Sequence, residues 1–190
     1  MRCILCERLS FTHICFSCEE KFLTPSLFKR KILDGIEVFS FYKYNDIKDL
    51  IHTKHTDLGY YVYSALAKLT FKKFSSEFVF DENTAGICID DRVKNGYSHT
   101  AVLNKALKSR YITPRYAKLR SNNDITYSGK TKEYRLNNPR DFELKEFKEK
   151  NVILVDDIIT TGLTLTQGCN ALRDKGKEIL FCLTLADAGE

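Results

Sequence analysis

Two neighbouring carboxylates and a run of threonines distinguish the stretch "NVILVDDIITTGLTLTQG", residues 151–168. Asp156 and Asp157 follow four apolar residues that predict a buried strand, and "TTGLT" at 160–164 leads into a predicted helix. Backbone N–H groups and hydroxyls at a helix N-terminus suit a phosphate. The carboxylates suit a ribose diol or a divalent cation instead. The stretch therefore predicts a phosphorylated-sugar site, and a well-capped helix without a ligand is the alternative.

Four cysteines near the N-terminus have the spacing of a metal site. They fall as Cys3-x2-Cys6 and Cys15-x2-Cys18, with eight residues between the pairs. Each tight turn presents two thiolates, and two turns complete the tetrahedral sulfur set of structural Zn²⁺. The segment is too short for a core of its own, so the metal would provide much of its folding free energy. Two pairs of redox-active or free thiols are the alternative.

The positive charge is concentrated in the middle of the chain. Residues 92–150 contain 15 Lys and Arg against 6 Asp and Glu, which leaves the remainder of the chain net negative although the total is +5. Such a region favours a polyanionic partner, for example nucleic acid or phosphates. A solvated lysine-rich surface is the competing interpretation.

The elements that must position these groups alternate between strands and helices. This order predicts an α/β fold with an open, mostly parallel sheet and right-handed crossovers. The predicted strands are 35–44, 85–91, 151–155 and 177–186, and the predicted helices are 45–55, 58–74, 97–109 and 162–176. Residues 19–31 read as a short helix and a linker, and 118–138 as a long mobile loop or hairpin arm.

The size and hydropathy of the chain bound its organisation. Its 190 residues, 43% of them hydrophobic, suffice for one domain with a small appendage. We expect a zinc-finger module at 1–30 and a main domain at 31–190, with a mobile arm at about 115–138. No apolar run approaches the roughly 18 residues of a transmembrane helix, and the N-terminus is too polar for a signal peptide. A cytoplasmic location is the default expectation.

Two acid pairs are predicted at one edge of the sheet. Asp90 and Asp91 follow one buried strand, and Asp156 and Asp157 follow another. Ligands of open α/β sheets gather at the carboxyl ends of the strands, so both pairs should lie at the ligand edge.

The string "VILVDDIITTGLT" resembles the phosphoribosyl pyrophosphate (PRPP) motif of type I phosphoribosyltransferases. The resemblance implies that Asp156 and Asp157 hold the ribose hydroxyls, directly or through Mg²⁺. It also implies that the 5′-phosphate is cradled by Thr160, Thr161, Gly162, Leu163 and Thr164.

The order of motifs along the whole chain is similar to that of the ComF/ComFC family of competence proteins. The four-cysteine module is followed by "YKYNDIKDLIHTKH", "RVKNGYSHTAVLNKAL", "TYSGKTKEYRLNN" and the PRPP loop. The resemblance implies a factor for natural transformation that helps single-stranded DNA enter at the inner membrane. A helicase-like motor partner and peripheral association with the inner membrane face are implied in the same way.

The chain departs from that family just before the helix predicted at 97–109. Where relatives carry "PVP" and an "RGFNQ"-like stretch, it has "IDD" at 89–91 and "NGYSH" at 95–99. Candidate pyrophosphate-binding residues are Asp91, Arg92, Lys94 and Lys54. The carboxylates would repel pyrophosphate unless Mg²⁺ mediates, so the departure weakens the case for chemistry more than for binding. For Lys54, a plain surface lysine is the alternative.

These residues, together with the two resemblances, imply three alternative functions. The first is a PRPP- and Mg²⁺-binding competence factor with little or no transferase activity that binds single-stranded DNA on its basic surface. Its candidate DNA-binding residues are Arg115, Lys118, Arg120, Lys130, Lys132 and Arg135. Five tyrosines are interspersed for base stacking, namely Tyr97, Tyr111, Tyr116, Tyr127 and Tyr134. The second is an active phosphoribosyltransferase on an unidentified acceptor, with the arm as a closing lid. The third is a PRPP-sensing regulator.

Overall fold

One seven-stranded sheet organises the chain. The computed structural model describes residues 1–90, 96–122 and 131–189, apart from the side chains of Asp90, Lys132, Arg135 and Leu136. The strand order is β1-β2-β7-β6-β3-β4-β5. The strands are β1 Phe28–Lys31, β2 Glu37–Lys43, β3 Thr84–Asp90, β4 Ile112–Ser121, β5 Phe142–Leu144, β6 Asn151–Ile159 and β7 Glu178–Asp187. The four inner pairings are parallel and the two outer ones antiparallel, which confirms the predicted mostly parallel α/β sheet.

Helices cover both faces of the sheet. They are α1 Phe16–Phe22, α2 Tyr44–His52, α3 Gly59–Leu69, α4 Phe71–Glu77, α5 His99–Ala106, α6 Lys132–Asn137 and α7 Leu163–Arg173. Alternate residues of β6 enter different cores: Ile153 and Val155 join the core under α2, α3 and α5, whereas Val152 and Leu154 join the core under α7. This is the period-two alternation of a strand buried on both sides.

Two sequence predictions about the length of elements were wrong. The helix predicted over 58–74 breaks at Thr70, whose φ of −117° and ψ of −84° separate α3 from α4. The strand predicted to end at Val155 continues to Ile159, because β7 keeps pairing with it as far as Asp187. Asp156 and Asp157 therefore lie within a strand rather than after it.

Part of the predicted irregular arm is regular structure. Residues 112–121 form β4, which pairs with β3 on one side and with β5 on the other. Leu119 of β4 is fully buried in the core under α7. The prediction of a mobile loop was therefore wrong for 118–121, because cross-strand pairing overrides a locally polar sequence. The antiparallel pairing with β5 fits the alternative of a hairpin. Residues 132–137 form the short helix α6.

The N-terminal segment packs directly onto the main core. Cys3, Ile14, Cys18 and Leu23 belong to the same hydrophobic cluster as residues of α3 and β2. The linker predicted at the end of the 19–31 segment was wrong for 28–31, since these residues form β1 and pair antiparallel with β2. The His13 ring stacks on Tyr61 of α3 with centroids 4.1 Å apart. Within the described ranges, no helix has the length and apolar character needed to cross a bilayer.

Candidate functional site

A tight turn at the carboxyl end of β6 carries the predicted phosphate-binding residues. Gly162 has a φ of +77°, and a Cβ at this position would lie 2.5 Å from Ile32 Cγ2. A glycine is therefore required both by its backbone conformation and by close packing. Thr160 and Thr161 are exposed, Thr164 is half-buried, and the Leu163 side chain is buried. The turn thus presents threonine hydroxyls outwards, while Leu163 offers its backbone alone.

Arg30 of β1 stabilises this turn and was missed by sequence reasoning. Its guanidinium donates a hydrogen bond to the Thr160 carbonyl oxygen and forms an ion pair with Asp187 at 3.3 Å. Because the Thr160 carbonyl is engaged by Arg30, it is turned towards β1 instead of towards a ligand of the turn. No local pattern indicated this role, since Arg30 lies in a segment interpreted as a linker and reaches across the sheet.

The two adjacent carboxylates occupy different environments. Asp157 is buried, and its Oδ2 lies 2.7 Å from Lys54 Nζ, 3.2 Å from His99 Nε2 and 3.4 Å from the Tyr63 hydroxyl. Asp156 is half-buried, and its Oδ1 accepts a hydrogen bond of 2.8 Å from the Asp157 N–H. The alternation of a strand places the two side chains on opposite sides. Asp156 is thus the more accessible of the two.

The environment of Asp157 keeps its carboxylate ionised. Burial alone would raise its pKa, but the hydrogen bond and charge of His99 and the charge and hydrogen bond of Lys54 hold the pKa well below its ordinary value. Burial and the neighbouring Asp157 charge raise the pKa of Tyr63 well above its ordinary value, so its hydroxyl stays protonated and able to donate.

Lys54 is a member of this buried cluster. Its side chain is 21% exposed and pairs with Asp157, so the surface-lysine interpretation was wrong. The Tyr97 hydroxyl donates to the Lys54 carbonyl oxygen at 3.1 Å. His99 and Tyr63 were not predicted as site residues, and a sequence signal existed only for His99, at the position where the resembling family has glutamine.

The other candidate pyrophosphate residues, Asp91, Arg92 and Lys94, lie outside the described residues. Asp90 ends β3, and its Cα is paired with that of Arg120. β3 and β6 are adjacent and parallel, so their carboxyl ends share one edge. β3 therefore ends at the same edge of the sheet as the strand that carries Asp156 and the 160–162 turn.

The predicted DNA-binding residues differ in their availability. Arg115 donates from its Nε to Glu149 at 3.1 Å in a two-bonded ion pair, and Lys118 donates to the Glu146 carbonyl at 2.6 Å. Arg120 is exposed on β4. Lys130 lies outside the described residues, as does Tyr127, and only the backbone of Lys132 and Arg135 is described, in α6. The structure thus ties two of the six to partners in the segment before β6.

The four N-terminal cysteines converge on one point. Their Sγ atoms all lie within 4.8 Å of one another, with Cys3 and Cys18 buried and the other two half-buried. Burial would raise the pKa of the Cys3 thiol, but N–H groups of Cys15, Leu5 and Cys6 lower it to about 6, while burial and the neighbouring thiols raise that of Cys18 to about 12. Four sulfur donors in this arrangement fit a closed tetrahedral metal site such as that of Zn²⁺.

The C-terminal part of the chain, somewhat more than a third of its length, matches a known domain. Residues 119–190, which include β6, the 160–162 turn, α7 and β7, match the family model described as "Phosphoribosyl transferase domain". No curated protein sequence matches the chain significantly. This match confirms the type of fold expected from the PRPP-like motif, an open, mostly parallel sheet like that of phosphoribosyltransferases.

Solved structures with similar folds include three phosphoribosyltransferases. The hypoxanthine enzyme of Staphylococcus aureus is 15% identical with a TM-score of 0.40, and the match covers 66% of this chain and 62% of that one. The orotate enzyme of Mycobacterium tuberculosis H37Rv is 15% identical over 90% of this chain and 82% of its own, with a TM-score of 0.41. The adenine enzyme of Saccharomyces cerevisiae is 18% identical over 90% and 89%, with a TM-score of 0.42.

Proposed function

We propose that the chain binds PRPP together with Mg²⁺ at the carboxyl edge of β6. The observation that carries this proposal is the pairing of an accessible carboxylate, Asp156, with a hydroxyl-rich turn that opens α7, within the segment that matches the phosphoribosyltransferase domain. Thr160, Thr161 and Thr164 would hold the 5′-phosphate with the backbone N–H groups of Gly162 and Leu163. Asp156 would hold the ribose hydroxyls. Asp157, whose side chain lies on the other side of β6, would support it.

Mg²⁺, when bound, would neutralise the phosphate charge that the carboxylates otherwise repel. The residues present fit such an ion, because Asp156 supplies the hard oxygen donor that it prefers. Asp157 is less suited to direct contact, since Lys54 and His99 already occupy its Oδ2. Arg30 supports the site by fixing the Thr160 carbonyl.

Binding is better supported than transfer. Transfer of the phosphoribosyl group requires cations that stabilise the departing pyrophosphate and a closure that excludes water. The one candidate pyrophosphate cation among the described side chains, Lys54, is paired with Asp157. We therefore propose a PRPP-binding protein with little or no transferase activity.

The similarity to the ComF/ComFC family extends this proposal to natural transformation. In this role the chain would bind single-stranded DNA through its basic surface and aid DNA uptake, at the cytoplasmic face of the inner membrane, beside a helicase-like motor. The excess of positive charge in residues 92–150 supports a polyanionic partner. The four-cysteine module would hold Zn²⁺ and stabilise the surface that faces a protein partner.

Calorimetric titration of PRPP with and without Mg²⁺ tests the binding proposal. We expect saturable binding that weakens without Mg²⁺ and is lost in the double variant Asp156→Asn, Asp157→Asn. Asp174→Asn, an exposed aspartate at the end of α7, is the matched control and should bind as wild type does. Absence of PRPP binding by folded wild-type protein would contradict the proposal.

A pyrophosphate assay separates the alternatives. Release of pyrophosphate from PRPP with a nucleobase or another acceptor, abolished by the Asp156 and Asp157 substitutions, would favour an active phosphoribosyltransferase. PRPP binding without pyrophosphate release and without affinity for DNA would favour a PRPP-sensing regulator.

A further inference from the structure

A groove runs between α3 and α5 on the face of the sheet that also carries Lys54 and His99. Its volume is about 580 Å³, and it is lined by residues of α3, α4, α5 and β4. Small apolar side chains contribute to this lining, namely Ala67, Ala101, Val102 and Ala106. The volume lies within the roughly 300–1,000 Å³ of ligand sites, so the groove is large enough for an extended segment but not for a folded domain.

Four lysines line the groove. They are Lys68 of α3, Lys72 of α4, and Lys105 and Lys108 at the end of α5, and all four are exposed. Among the residues that the structure describes, no acidic side chain forms an ion pair with any of them. Lys72 Nζ donates a hydrogen bond of 3.3 Å to the Lys108 carbonyl. Their charges are therefore available to an anion, in contrast to that of Arg115.

Three tyrosines complete the groove. Tyr60 is 44% exposed and Tyr116 is 47% exposed. Tyr97 packs edge-on against Tyr60 with ring centroids 5.9 Å apart. Exposed aromatic rings beside spaced lysines form the combination on which bases stack while their phosphates contact cations. A peptide of aspartate and glutamate would use the lysines but would bring no aromatic rings to stack on the tyrosines.

We propose that this groove is where the chain binds single-stranded nucleic acid, and that the basic residues at 115–135 are not the principal site. Bases would stack on Tyr60 and Tyr116 over the alanine-rich floor, and the backbone phosphates would contact the four lysines. This proposal rests on the proposed function for its choice of ligand, but none of the residues proposed to bind PRPP lines the groove.

The groove ends beside the PRPP-type site. Tyr97 lines the groove and donates its hydroxyl to the Lys54 carbonyl, while Lys54 Nζ pairs with Asp157. A strand lying in the groove would therefore have one end next to the carboxyl edge of the sheet.

Fluorescence anisotropy with a labelled oligothymidylate of about 20 nucleotides tests the groove. The groove variant carries Lys68→Gln, Lys72→Gln, Lys105→Gln and Lys108→Gln, and we expect its affinity to fall about tenfold or more. The slope of log K against log salt concentration should flatten by up to about 3, because each phosphate contact contributes about 0.7. The matched control, Lys48→Gln, Lys73→Gln, Lys148→Gln, Lys175→Gln, removes the same charge from exposed lysines outside the groove. This control variant should lose much less affinity for the oligonucleotide than the groove variant.

Further variants test the aromatic contribution and the alternative surface. Tyr60→Ala with Tyr116→Ala should weaken binding while the salt slope stays unchanged. The affinity should fall less than in the groove variant when the alternative surface is changed by Arg115→Glu, Lys118→Glu and Arg120→Glu. An equal loss in the groove variant and its control, or a loss confined to the Arg115 set, would overturn the proposal, as would displacement of the oligonucleotide by a polyglutamate peptide at equal charge.

The groove proposal and the proposed function fail in different ways. PRPP titration of the groove variant checks that its fold and PRPP site are intact. Unchanged DNA affinity in that variant would refute the groove while leaving the proposed function standing. Absence of oligothymidylate binding by wild-type protein would refute both the groove proposal and the DNA-binding part of the proposed function. Absence of PRPP binding would refute the PRPP proposal alone.

Discussion

Asp156 and Asp157 are adjacent in sequence, yet their surroundings assign them different tasks. The Asp157 carboxylate is the shared acceptor of Lys54, His99 and Tyr63, which come from three separate elements. A buried carboxylate with several partners holds those elements together, and removal of the carboxylate would leave all of its partners unpaired. Asp156 has the greater access to a ligand.

Single substitutions should therefore separate stability from binding. We expect Asp157→Asn to lower the free energy of unfolding by about 3 kcal/mol, because Lys54 loses its counter-ion. Asp156→Asn should change it by about 0.5 kcal/mol or less while PRPP binding is lost. Chemical denaturation and calorimetry measure the two quantities. Equal destabilisation by both substitutions would contradict the division of roles.

The ion pair between Arg115 and Glu149 has a predictable pH dependence. Burial opposes ionisation of Glu149, but the Arg115 hydrogen bonds and charge lower its pKa below the ordinary value of 4.5. A lowered pKa contributes stability that is present above pH 4.5 and is lost as the pH falls through the folded-state value. Glu149→Gln should thus cost about 1–2 kcal/mol at pH 7 and progressively less below pH 4.5.

Denaturation of wild type and variant between about pH 3 and pH 7 measures this difference. The control is Glu178→Gln, because Glu178 pairs with Lys150 on an exposed surface where both side chains are more than half accessible. That substitution should have little effect at any pH. A pH-independent cost of Glu149→Gln would show that packing, and not charge, explains it.

At the scale of elements, the turn between β6 and α7 keeps its shape because β1 and the segment around Ile32 pack against it. Arg30 binds the Thr160 carbonyl, and Ile32 occupies the space that a side chain at position 162 would need. The turn is thus shaped by residues that are distant in the chain, with a separation of 130 positions between Arg30 and Thr160.

Gly162→Ala tests this packing. We expect a loss of stability of about 2 kcal/mol or more and loss of PRPP binding, since the alanine would have to adopt a positive φ and its Cβ would collide with Ile32. Gly176→Ala is the matched control, because Gly176 has a φ of +72° but a Cβ added there would meet no atom within 4 Å. It should cost about 1 kcal/mol and leave PRPP binding unchanged.

At the scale of the whole molecule, the cysteine module is part of the main core. Cys18 and Leu23 share one hydrophobic cluster with Phe41 and Tyr63, and Tyr63 in turn contacts Asp157. A metal held by the four cysteines would therefore stabilise more than its own segment.

Metal removal should lower the stability of the entire chain. We expect one zinc per chain by elemental analysis, and chelation should reduce the free energy of unfolding by about 3 kcal/mol or more in a single cooperative transition. Zinc should restore it. In Cys6→Ser the starting stability should already be reduced and the chelator should have no further effect. A chelator-insensitive wild type would contradict the metal site.

The sequence by itself determined the sheet type, the four-cysteine cluster and the position of the threonine-rich turn. Each depends on local periodicity or spacing: apolar runs between helical segments, a repeated Cys-x2-Cys step, and threonines with a glycine before α7. These features are encoded in short stretches of the chain, so they can be recognised without knowing what lies opposite.

Only the tertiary structure decided which charges are available. It paired Lys54 with Asp157 and Arg115 with Glu149, it brought Arg30 to the Thr160 carbonyl, and it placed Lys68 and Lys72 beside Lys105 and Lys108. The physical reason is that an ion pair or a groove joins residues through space. Their separation along the chain contains no information about the side chains that meet when the sheet forms.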